Sequence, residues 1–86
     1  MRILIPSQLR SYTLGHGEVT AQGKTVDEAL KALNKEYPGL RFRMVDEQDQ
    51  VRPHIKVFLN RRQVMDLKEK VNPEDELMIV GALSGG

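Results

Sequence analysis

Only one stretch of this chain has the spacing of an amphipathic helix, and the segments around it alternate like strands. In "KTVDEALKALNKEYPG", Val26, Ala29, Leu30, Leu33 and Tyr37 recur at helical spacing on one face. Lys31, Asn34, Lys35 and Glu36 occupy most of the remaining surface. Thr25 can cap the first turn, and Glu28 three positions on completes a capping box. Pro38-Gly39 ends the segment. A lone helix has one apolar stripe to bury, and here only a sheet can cover it.

The strand signals lie on both sides of that helix. "RILIPSQL" opens as a strand with Ile3 and Ile5 on one side and Leu4 on the other. Pro6 suits its end. Gly15 and Gly17 in "LGHGE" mark a turn, and "EVTAQ" returns as a second strand. Residues 40–50 read as irregular, with Leu40, Phe42 and Met44 alternating and able to pack under the sheet, and "DEQDQ" as an exposed loop. "HIKVFLN" (54–60) is a strand after Pro53, and Val64 can start a short partner strand. "DLKEKVNPEDE" has a brief helical or 3₁₀ look before a turn at Asn72-Pro73. "LMIVGAL" (77–83) is the last strand.

The order is strand, strand, helix, strand, short strand, strand. It predicts an α+β domain with a mixed four- to five-stranded sheet and one main helix on one face. The first and last strands are the most apolar, so they are expected side by side, and parallel if the connection crosses over in the usual hand. That is the β-grasp, or ubiquitin-like, arrangement. One domain takes up residues 1–86, with 83–86 as a flexible tail.

Size and composition exclude much. Folding an 86-residue chain hides roughly 60–65% of its surface, enough for one modest core and no deep substrate cavity. Thirteen basic and twelve acidic residues leave a net charge of +1 with no run of five like charges. That argues against a nucleic-acid surface. There is no cysteine, hence no disulfide and no thiol of its own. His16 and His54 lack a second ligand at metal spacing, so no metal site is expected. No Ser-His-Asp grouping or phosphate loop is visible, and the chain reads as a non-enzyme. No apolar run approaches the ~20 residues of a membrane span, and the N-terminus is too quickly polar for a signal peptide. A cytoplasmic location is expected.

The face of the sheet away from the helix departs from this pattern. Simple alternation points Leu77 and Ile79 at the helix and Met78 and Val80 away from it. The same rule turns Leu4 and Phe58 outward. Leu4, Phe58, Met78 and Val80, from three strands, are therefore expected to form an apolar patch facing a partner, unless residues 40–50 fold over it.

The last strand then runs into "ALSGG". A chain ends in two glycines by chance on the order of 0.5% of the time. A glycine pair has no side chains and can thread a narrow channel, delivering the α-carboxylate of Gly86 to another protein's active site. That carboxylate is ionised and inert until activated, for example as an acyl-adenylate.

"LNRRQV…DLKEKVNPEDELMIVGALSGG" resembles the MoaD/ThiS sulfur carriers, β-grasp proteins that end in Gly-Gly, with Asn60, Asp75 and the small-residue tail in the family's pattern. Within the family, "IPSQLR" and "VRPHIKVFLN" resemble the CysO and QbsE types. The resemblance implies an E1-like adenylating partner of the MoeB/ThiF type that consumes ATP, no bound cofactor, and a thiocarboxylate on Gly86. It implies a second partner, such as a cysteine synthase or an enzyme of thioacid siderophore assembly, that takes the sulfur. In that scheme Gly85 gives clearance, Leu83 and Ser84 guide the tail, and the outward patch docks both partners. Some relatives of this type are trimmed by a metalloprotease, so Gly86 reads as a native or a processed end. Two alternatives stay open. One is a molybdopterin synthase small subunit, although Val80-Gly81 stands where those subunits often have a proline pair. The other is a protein modifier conjugated through Gly86.

Overall fold

The computed structural model describes residues 1–81. Five strands form one sheet: β1 (Arg2–Leu4), β2 (Glu18–Thr20), β3 (Ile55–Leu59), β4 (Arg62–Gln63) and β5 (Glu76–Gly81). Their order is β2-β1-β5-β3-β4. β1 and β5 are parallel neighbours, with Ile3 opposite Leu77 and Leu4 opposite Met78. All other pairs are antiparallel. The expected pairing of first and last strands is therefore observed, in a five-stranded sheet.

Helix α1 (Val26–Glu36) forms where the periodicity places it. Glu28 N–H donates to Thr25 Oγ1 at 3.1 Å. The Glu28 carboxylate accepts from Lys24 N–H at 3.0 Å rather than from the cap residue itself. Val26, Ala29, Leu30 and Leu33 are buried against Ile3, Ile5, Val57, Leu77 and Ile79 in one core.

The short partner strand is Arg62–Gln63 rather than one starting at Val64, and three further segments differ from the sequence reading. Residues after Pro6 leave the strand and form a 3₁₀ helix over Ser7–Thr13. Its end is held by the buried Thr13 hydroxyl, placed to donate to His16 C=O at 2.7 Å. Leu14 and Gly15 then turn in the left-handed region.

The second difference is at residues 40–44, which are not irregular but a short helix, α2 (Leu40–Met44). Leu40 and Met44 stand one helical turn apart and are buried. Phe42, which a strand alternation would bury with them, is exposed beneath the Arg52 guanidinium, 4.5 Å from its ring centroid. Period-two spacing over five residues cannot separate a strand from one turn of helix whose middle residue faces out. Thirdly, residues 66–75 make two turns rather than a helix, the first closed by Lys68 N–H donating to Asp66 Oδ1 at 2.8 Å.

α2 packs on α1 and on the 3₁₀ helix. All of the helical layer therefore lies on one side of the sheet, and residues 40–50 do not cover the other side.

Candidate docking face and tail exit

The register explains how the outward residues meet. Leu4 on β1 stands opposite Met78 on β5, and Met78 stands opposite Phe58 on β3. The three side chains form one row across the three inner strands. All three are half-buried. Val80 lies two residues along β5, opposite Lys56, and is 37% exposed. The four residues predicted from alternation are thus brought together on one face.

A polar rim surrounds them. Glu18 and Gln63 end the row on β2 and β4. Arg2 lies one rung away and bonds Glu76 at 2.7 Å and Glu18 at 3.5 Å. An apolar centre with charged edges is the usual anatomy of a protein–protein contact. Sequence reasoning missed these rim residues. The same even-numbered parity that turned Leu4 outward also turns Arg2 outward, so the signal was present.

The far end of this face is locked by Asn60. Asn60 and Arg61 both have positive φ, at 48° and 75°, and make the two-residue turn from β3 to β4. Left-handed φ at both positions is the turn that matches the twist of a hairpin. The Asn60 carboxamide donates to Asp75 Oδ1 at 2.9 Å and accepts from Glu76 N–H at 3.0 Å. Asp75 Oδ2 accepts from Asn72 N–H at 2.7 Å. These bonds from Asn60 and Asn72 hold the Asp75 carboxyl below the ordinary carboxylate range. Asn60 and Asp75, 15 residues apart in sequence, together pin the start of β5 to the hairpin.

Gly81 is the last described residue and pairs with Ile55. Leu83, Ser84, Gly85 and Gly86, the expected tail residues, lie outside the described residues. Among the described residues no group of three or more His, Asp or Glu side chains could hold a metal ion. No helix there is long and apolar enough to cross a membrane.

The comparisons with known proteins agree with this geometry. The model of the ThiS family matches residues 3–86. The chain belongs to the ThiS family. Its fold is the β-grasp of the MoaD/ThiS-type ubiquitin-like carriers. Among solved structures, this ThiS-family chain is similar to a chain of the Amycolatopsis orientalis BexX/CysO complex. The identity is 32% and the TM-score 0.92, over 99% of this chain and 98% of that one. It is also similar to small archaeal modifier protein 1 from Haloferax volcanii, at 29% identity and a TM-score of 0.79, over 100% and 98%. Mycobacterium tuberculosis CysO shares the fold, with 24% identity and a TM-score of 0.90 over 95% and 98%. No match is found among curated proteins.

Proposed function

We propose that the protein is a sulfur carrier whose reactive group is the carboxylate of Gly86. The observation that carries this reading is the row Leu4–Met78–Phe58, extended by Val80. It is an uncovered apolar surface on the strand that leads to the Gly-Gly pair. An adenylating enzyme docks on that row and receives the tail. The Gly86 carboxylate attacks the α-phosphate of ATP, forming an acyl-adenylate and releasing pyrophosphate. Hydrosulfide then adds to the acyl carbon, and AMP leaves. The product is a Gly86 thiocarboxylate, with no change of oxidation state. A second enzyme docks on the same row and moves the sulfur to a small molecule, cysteine or a thioacid metabolite being the candidates. Gly85 leaves room for the tail, and Leu83 and Ser84 align it. The carrier supplies no acid, base or metal, and acts in the cytoplasm. If the native chain extends past Gly86, a metalloprotease exposes the glycine.

The similarity to a small archaeal modifier protein keeps a second reading in play, in which the activated Gly86 joins a lysine amine. Intact mass spectrometry after incubation with the adenylating enzyme, ATP and sulfide separates the two. The carrier reading expects a free protein heavier by the difference between sulfur and oxygen, and no gain once Gly86 is deleted. Lysine conjugates on a denaturing gel, with no thiocarboxylate, would overturn it in favour of the modifier.

A further inference from the structure

The two edges of β5 end differently, and the difference falls where the tail begins. Along β1, Ile5 N–H donates to Gly17 C=O, so odd-numbered residues face β2. Arg2 N–H donates to Asp75 C=O, so even-numbered residues face β5. The residue that should continue the ladder after Leu4 is Pro6. Proline has no N–H to donate, and the chain turns there into the 3₁₀ helix, with Leu9 N–H on the Pro6 carbonyl. The parallel pairing therefore stops at Leu4–Met78, whereas β3 stays paired with β5 as far as Gly81. Along Ile79–Gly81 the sheet has one paired edge and one edge without a strand.

Gln8, two residues past the proline, lies over the face of this strand end. Its side-chain carboxamide occupies the position a Gly81 side chain would take, with Cδ 2.7 Å from where that Cβ would stand. Gly81 does not need to be glycine for its backbone, because its φ is outside the left-handed region. What a methyl at 81 would displace is Gln8. Gln8 is exposed and supports none of the core. A freely rotating surface glutamine has no reason of packing to lie on a strand's last residue. Here the carboxamide covers the Gly81 backbone from the face of the sheet, at the point where β5 has lost its β1 neighbour.

We propose that Gln8 is a positioning residue for delivery of the tail. It packs on Gly81 where the β1 rung is missing and keeps the end of β5 extended, so that Gly86 reaches the adenylating site in line. This rests on the carrier reading. Correct alignment acts on the chemical step, not on docking through the far-face row.

The test uses ATP–pyrophosphate exchange by the adenylating enzyme with the full-length chain. Gln8→Ala is expected to lower kcat about tenfold with KM for the carrier and thermal stability unchanged. Gly81→Ala, by displacing the carboxamide, is expected to give the same loss, and the double variant no further loss. A Gln8→Ala chain with wild-type kcat, or losses that multiply in the double variant, would overturn the proposal. Proton exchange of side-chain amides tests the seat itself. Gln8 should exchange more slowly than the exposed Gln48 and Gln50, and equal rates would contradict it. A wild-type chain that supports no exchange of pyrophosphate would instead defeat the carrier reading, independently of where Gln8 sits.

Discussion

The two faces of the sheet are built from the same strands and differ in what meets them. On one side Ile3, Val57, Leu77 and Ile79 are all but sealed by α1 and α2. On the other, Leu4, Phe58 and Met78 sit on alternate positions of the same strands and stay half-exposed. The first face is stabilised by burial worth about 25 cal/mol per Å² of apolar surface. The second gives up part of that stabilisation and keeps an apolar surface in contact with water. A domain this small gains little from leaving apolar area uncovered, so such a surface is best explained by a partner that buries it.

Substitutions on the two faces should therefore separate stability from binding. Leu30→Ala, on the sealed face, is expected to cost about 2–5 kcal/mol in chemical denaturation. Phe58→Asp, on the open face, is expected to change stability by about 1 kcal/mol or less and to weaken binding of the adenylating enzyme at least about tenfold. Equal destabilisation by both would erase the distinction between the faces.

Gly23 sharpens the contrast on the sealed side. A Cβ there would stand 2.6 Å from the Ala29 backbone nitrogen, so the helix layer closes directly onto the chain. Gly23→Ala is expected to cost roughly 1–3 kcal/mol, measured by urea denaturation. A neutral result would mean the first turn of α1 yields more easily than its contacts imply.

Where the faces meet, Asn60 ties the hairpin to the start of β5. Asn60→Ala removes both side-chain bonds and should cost about 1–2 kcal/mol by the same measurement. The Asp75 carboxyl held by Asn60 also links stability to pH. Its folded pKa lies below the unfolded value of about 3.9, so folding favours the deprotonated form. The contribution is complete above that unfolded value and is lost as pH falls through the lower folded one. Asp27 acts in the same direction. Burial alone would raise its pKa, but hydrogen bonds and charge from Arg41 and Lys31 outweigh that and lower it. Acid titration of stability should show Asn60→Ala less sensitive than the wild type at the acid end.

The smallest expected effect is on the rim of the open face. Arg61 holds φ at 75° without being glycine. Arg61→Gly should stabilise the fold slightly, by about 0.5–1 kcal/mol, through relief of the left-handed backbone. A loss of stability would show that its side chain makes contacts that outweigh the strain.

The sequence made one helix, the β1–β5 pairing and the outward row legible for a common reason. In each case a simple period, 3.6 or 2, ran long enough to be read, and Thr25, Glu28 and Pro38-Gly39 marked the helix ends. What escaped it was short or non-local. The 3₁₀ helix after Pro6 has no period of its own, and α2 spans only five residues. The Asn60–Asp75 bond and the seat of Gln8 on Gly81 join residues 15 and 73 positions apart, a relation that only the register of β5 creates. The role proposed for Gly86 was never in the pattern of the fold, and came from the glycine pair and the resemblance to a carrier family.

The most direct test is an NMR titration of the isotope-labelled protein with the proposed adenylating enzyme. Amide signals of Leu4, Phe58, Met78 and Val80 should shift or broaden first, while those of Lys31 and Lys35 on the outer face of α1 stay in place. Perturbation centred on α1, with the open face of the sheet unchanged, would contradict the account.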